Sequence, residues 1–244
     1  MSKQYDGRLF ERVRDESSTF EDLHFTNCDF DAVVLSASTS PDVFTTVRNC
    51  TFTNSRVSSV VYPGNTRFED VVVDGLQMRT ELQLAGAQLR HVVLRGAIDE
   101  IRFNVSTGFG DAPTQLRRDS INAANVLWYS NVDWALDIRE ARFTDWVEIV
   151  NVPGRLVRHD PEQAVVVTAE RARSVDYKGV DWGDAPIVPA IGRMLMEGLD
   201  SRILVVPSKG QLRKPMLAAI EKIRSIGLDE AAGGRADPDG AVRS

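Results

Sequence analysis

The chain has 244 residues and a formal charge of -6, from 29 lysines and arginines against 35 aspartates and glutamates. That length can bury a substantial core in one large domain or two small ones, and the small acidic excess disfavours indiscriminate binding to nucleic acid or an anionic membrane. Two cysteines and three widely spaced histidines supply neither a disulfide framework nor a metal-ligand spacing, so no cofactor or metal is expected.

Residues 1–19 contain no apolar segment of the kind a secretion signal needs, and nowhere does an apolar run approach the roughly 20 residues of a membrane span. A cytoplasmic location without membrane contact is expected, with 1–19 as a lead-in or cap. From residue 20 the texture changes. In "FEDLHFTNCDFDAVVL" the large apolar residues Phe20, Phe25, Phe30 and Leu35 recur every fifth position, a period that fits neither a helix at 3.6 nor a strand at 2. Two positions before most anchors stands a second inward candidate: Leu23 before Phe25, Cys28 before Phe30, Val33 before Leu35, and later Cys50 before Phe52 and Val71 before Val73. Each unit reads as a very short strand followed by a corner.

A longer repeat of about 21 to 22 residues overlies the short one, within the range that marks stacked repeat architectures. It arranges Phe25, Val47, Phe68 and Leu89 in one series, Phe30, Phe52, Val73 and Leu94 in another, and Leu35, Val57 and Met78 in a third. With four short sides to each return of the chain, every series becomes a ladder at the parallel-strand spacing of roughly 4.8 Å. Cys28 and Cys50 then lie one return apart as inert core thiols. Asn27, Asn49, Asp70 and His91 form a polar corner column.

These units resemble the pentapeptide-repeat family. The resemblance rests on Leu23/Phe25, Cys28/Phe30, Cys50/Phe52, Val71/Val73, Ala87/Leu89 and Val92/Leu94, together with Asp29 between an inward pair, and covers residues 20 to about 103. It implies an all-β solenoid, a right-handed quadrilateral parallel β-helix, extended here over 20–152. "SASTSP" (36–41) and "PGNTR" (63–67) read as corner insertions. A larger excursion is placed at 106–120. Beyond it short units resume, with Trp134, Ile138, Phe143 and Ile149 pointing inward. His159, Asp160 and Pro161 read as a helix entry.

From 153 to 230 the spacing turns mainly helical, in "PAIGRMLMEGL" (189–199) and "QLRKPMLAAIEKIRSIGL" (211–228), with "RILVVP" as a short strand between them and Gly227 as a stop. This segment is expected to cap the solenoid or to make a homodimer, and 231–244 to be a disordered tail.

No acid pair, nucleophile elbow, phosphate loop or metal spacing emerges, so no catalytic residue is expected. The leading expectation is a non-enzymatic scaffold that binds another protein, with Phe109, Arg117, Arg118, Trp128 and Tyr129 as contacts in and just after the excursion. The resemblance also raises a DNA-mimicking protein that binds and protects topoisomerases. The outward columns Asp31, Thr53, Asp74, Arg95 and Thr26, Arg48, Glu69, Arg90 alternate in chemistry and lack the run of carboxylates that duplex mimicry needs. A β-helical glycan-processing enzyme is the other alternative, and it requires converging carboxylates. Direct nucleic-acid binding is not expected.

Overall fold

A computed structural model describes residues 2–36, 40, 42–59, 65–79, 82–104 and 115–230, without the side chains of 115–118 and 121. The first thirteen strands are Lys3–Asp6 (β1), Leu9–Glu11 (β2), Thr19–Glu21 (β3), Leu23–Thr26 (β4), Asp29–Asp31 (β5), Thr45–Arg48 (β6), Thr51–Val57 (β7), Thr66–Glu69 (β8), Val72–Met78 (β9), Leu82–Gln83 (β10), Gln88–Arg90 (β11), Val92–Ile98 (β12) and Ile101–Phe103 (β13). Helix Gln115–Tyr129 (α1) follows, then Leu136–Phe143 (β14), Glu148–Ile149 (β15), Val157–Arg158 (β16), Ala164–Thr168 (β17), Ala169–Ser174 (α2), Ile187–Met196 (α3), Ser201–Val205 (β18) and Arg213–Ser225 (α4).

The strands fall into three sheets, and up to β16 every pairing is parallel. One sheet runs β1-β4-β7-β9-β12-β14-β16 with β2 and β5 beside it, another runs β3-β6-β8-β11, and the third runs β10-β13-β15-β18-β17. The chain therefore returns repeatedly to pair with itself. Lys3 pairs with Leu23, Phe25 with Phe52, Phe52 with Val73, and Val73 with Leu94. Large apolar side chains stack along these ladders: ring centroids of Tyr5 and Phe25 lie 5.3 Å apart, and those of Phe25 and Phe52 lie 4.9 Å apart. One core of buried residues continues from Val47 to Val205.

The strands begin at Lys3, so much of the span assigned as a lead-in takes part in the ladder. The series expected for the first return is also displaced. Phe20, not Phe25, precedes Val47, and Phe30 stands beside Val57 instead of Phe52. The series Val47, Phe68, Leu89 and Phe52, Val73, Leu94 hold from there on. The return from Phe25 to Phe52 is longer than the return from Phe52 to Val73 by about one repeat unit, which displaces the register without disturbing the five-residue rhythm. Cys28 consequently falls opposite Ser55, and Cys50 belongs to the ladder next to it. Both thiols are buried and free.

Tight corners are taken in the left-handed region, with φ of 49° at Asn49, 54° at Asp70 and 54° at His91. Asn and Asp tolerate this region better than other side chains do, and glycine takes it freely. At Gly96, φ is 72°, and an added Cβ would lie 3.0 Å from Asp74 Oδ1 and 3.2 Å from the Gly75 nitrogen.

The expected inward positions Ile138, Phe143 and Ile149 are buried. Trp134 is only partly buried; it stacks on His91 at 4.6 Å and carries the Arg158 guanidinium over its ring at 4.3 Å. Past residue 153, α3, β18 and α4 lie where helical and extended spacing placed them, and Gly227 ends α4 with φ 68°. Residues 159–163 form a turn in place of the expected helix entry; the Asp160 carboxylate accepts from the Glu162 N–H at 2.9 Å and β17 follows. β17 and β18 pair antiparallel, and β18 joins β15 in the same sense. Val167, Ile187, Ile191, Met194, Met216 and Ile223 form a second core under this sheet. Glu148 connects the two units: it is 3% exposed, pairs with buried Arg202 at 2.9 Å and receives Arg193 at 3.2 Å. Burial pulls the Arg202 pKa down while the Glu148 charge opposes that shift. The expected tail, 231–244, lies outside the described residues.

Candidate functional site

β11 is the last strand of its sheet, and a last strand leaves one row of backbone groups unpaired. Helix α1 satisfies that row with side chains. The Leu89 N–H donates to the Tyr129 phenol oxygen at 3.2 Å, and Trp128 Nε1 donates to the Leu89 carbonyl at 3.1 Å. Gln88 Nε2 donates to Asn125 Oδ1 at 3.2 Å, Asn125 Nδ2 to Asn151 Oδ1 at 2.8 Å, and Asn151 Nδ2 to the Ala87 carbonyl at 3.1 Å. The helix occupies the place of a further strand. Tyr129 is fully buried, and desolvation pushes its phenol far above the usual range.

Two expected contact residues are thereby reassigned. Tyr129 faces the core and Trp128 is partly buried with its indole N–H engaged, because an open strand edge needs polar partners more than a surface needs aromatic anchors. Arg117 and Arg118 lie in the first turn of α1, and their side chains are outside the described atoms. Phe109 and residues 106–114 also lie outside the described residues; the remainder of the expected excursion, from Gln115, is helix.

The opposite face of α1 carries the surface that sequence reasoning missed. Val126 is 71% exposed and Leu127 70%, with exposed Ala123 one turn earlier. Residues three and four apart share a helix face. The usual pattern is inverted here: Asn125 and Tyr129 turn inward while Val126 and Leu127 turn out, so a search for an inward apolar stripe selects the wrong side.

Charge on the outer strand faces is arranged in neutralised columns. Glu21, Arg48, Glu69 and Arg90 succeed one another, and the Glu69 carboxylate accepts from Arg48 Nε at 3.1 Å and Arg90 Nη2 at 2.6 Å. Thr26, not Asp31, precedes Thr53, followed by Asp74, Arg95 and Glu140, with Arg95 Nε 2.9 Å from Asp74 Oδ2. The corner column is Asp22, Asn49, Asp70 and His91, with Asn27 on another corner. Asn49 donates to Asp22, and the two His91 nitrogens face Asp70 at 3.0 Å and Asp133 at 2.7 Å. These side chains bond chiefly to each other.

A cleft of about 740 Å³ separates β14 from the β18–α4 connection, with Arg95, Arg142, Arg213, Asp74, Glu140 and Asp160 among its lining residues. Asp74 is engaged by Arg95, and Asp160 caps its own turn. Two of these three carboxylates, Asp74 and Asp160, are thus held in structural contacts.

Comparison with protein-family models, curated proteins and solved structures finds no match to this chain. Among the described residues no helix is long and apolar enough to cross a membrane.

Proposed function

We propose that the chain is a pentapeptide-repeat-like solenoid, a right-handed four-sided parallel β-helix, that serves as a non-enzymatic scaffold for binding another protein. The repeated parallel register supports the winding, and parallel crossovers are nearly always right-handed. The observation that carries the binding reading is the exposure of Val126 and Leu127 on a helix whose other face is fixed to β11. Neighbouring large apolar side chains on a rigid support form a preorganised contact, which reduces the ordering cost of association. The alternating acid and base columns offer a duplex mimic no continuous negative face, so they favour a protein partner of a different kind.

Affinity capture from the native host with the intact chain tests this reading. Three variants accompany it: Val126→Glu with Leu127→Arg, a Gly/Ser replacement of 106–114, and Glu170→Gln on exposed α2 as a control. Loss of a specific partner with the α1 double variant alone, at unchanged far-UV circular dichroism, is the expected result. Undiminished recovery by that variant overturns the assignment.

A further inference from the structure

The two ends of the parallel ladder are finished differently. Toward α1, side chains satisfy the β11 edge, and β18 closes on β15 by antiparallel pairing. At the Lys3 end, β1, β2 and β3 are each paired on one side alone among the described residues, with β4, β5 and β6. The register determines which backbone groups are left over, because alternate residues of a parallel strand bond to opposite neighbours. Lys3 and Gly7 donate to the carbonyls of Asp22 and Thr26, so Gln4 and Asp6 turn their N–H and C=O toward the open side. The same alternation leaves Leu9, Glu11, Thr19 and Glu21 with open groups.

The apolar layer at this end is also only partly covered by the described residues. Tyr5, Phe10, Val13 and Phe20 are only partly buried, whereas Phe25, the next ring along from Tyr5, is 7% exposed. Leu9 is 59% exposed.

We infer that this end is a self-association surface, on which two copies of the chain meet head to head across a two-fold axis. The surface asks its occupant for several open strand edges at matching separations around an apolar centre. A second copy has both. A two-fold perpendicular to the ladder sets the meeting edges antiparallel, so that open N–H and C=O groups face their complements and the half-covered rings close over one another. The exposed charges of this layer suit such a contact, because Lys3, Arg8 and Arg12 are interleaved with Asp6, Glu11 and Glu21. A layer of one sign would repel its own copy. This contact is separate from the α1 face and does not depend on the identity of any other partner.

Sedimentation velocity on the full chain over a concentration series is the test. The expected result is a dimer that gives way to monomer in Gln4→Pro, which removes an open-edge N–H and leaves the β4 bonds intact, and in Leu9→Lys, which charges an exposed position. Far-UV circular dichroism should stay unchanged in both, as should the urea midpoint measured at concentrations where the parent is also monomeric, and the Val126→Glu, Leu127→Arg chain should still dimerise. A wild-type chain that is monomeric throughout the series, or a dimer that survives both edge variants, overturns the inference. So does a dimer abolished only by the α1 variant, which would move self-association to that helix.

Discussion

The backbone N–H of Leu89 ends on the phenol oxygen of Tyr129, 3.2 Å away, at a point where the ladder has no further strand among the described residues. Tyr129→Phe keeps the ring and removes the acceptor, leaving a buried donor unsatisfied. The expected loss is about 1–3 kcal/mol, and about 2–4 °C in the melting midpoint for each kcal/mol at this chain length. Urea unfolding of the two proteins measures it. A Phe variant as stable as the parent would mean that water or another group takes the Leu89 proton.

Glu148 carries a second prediction, because it is the buried anion between the two cores. Glu148→Gln leaves Arg202, itself 3% exposed, without its counter-charge. Breaking one side of a buried pair costs about 3–5 kcal/mol. Replacing only the exposed end of the network, with Glu197→Gln against Arg193, should cost about 0–1 kcal/mol. Parallel denaturation curves check both values, and near-equal losses would indicate that Glu148 is not held in a dry environment.

The contrast between expected and observed ladders follows from the nature of periodicity. The rhythm of Phe20, Phe25 and Phe30 reports that the strands are short, and that much is written in the residues. It cannot report how many strands separate two stacked residues. Near "SASTSP" the return lengthens by about one period, so each anchor keeps its phase while Phe25 moves from beside Val47 to beside Phe52. Lys3–Asp6 was hidden for a different reason: in "KQYD" a single inward tyrosine gives no alternation to detect. At the candidate surface, the pinning of α1 depends on Asn125, Trp128 and Tyr129 meeting backbone from β11, a long-range need that local pattern does not encode. The exposed face became legible only once that edge was located.

Acid should weaken the corner and end contacts in a defined direction. The hydrogen bond from His91 holds the Asp133 carboxyl below its ordinary value of 3.8. Asp15 is also lowered; its partial burial acts the other way, but hydrogen bonds from Ser18 and Thr45 together outweigh it. A carboxyl with a depressed folded pKa adds stability that is fully present above the unfolded pKa and lost as pH falls through the folded one. The stability supplied by these two groups should therefore be flat near neutrality and decline only below the ordinary carboxylate range. Asp15→Asn should reduce the slope of that decline in pH-resolved urea unfolding, and Asp133→Asn should do so less because the side chain is largely exposed. An Asp15→Asn profile superimposable on the parent's acid limb would remove Asp15 from this account.

The two cysteines offer a chemical test of the corrected register. Cys28 turns its sulfur toward the carbonyls of Tyr5 and Thr26, and Cys50 toward those of Phe20 and Arg48. Burial pushes the Cys50 thiol up, away from the reactive thiolate. Because Cys28 lies opposite Ser55, the two thiols are not ladder neighbours and mild oxidation should not join them within one chain. A thiol reagent should find neither group in the native protein and both in denaturant, with the same count after incubation under air. The discriminating variant is Ser55→Cys, which places a thiol opposite Cys28. If that variant and the parent both formed an intrachain disulfide involving Cys50, the observed return from Phe25 to Phe52 could not be right, since Cys50 would then have to stand where Ser55 does.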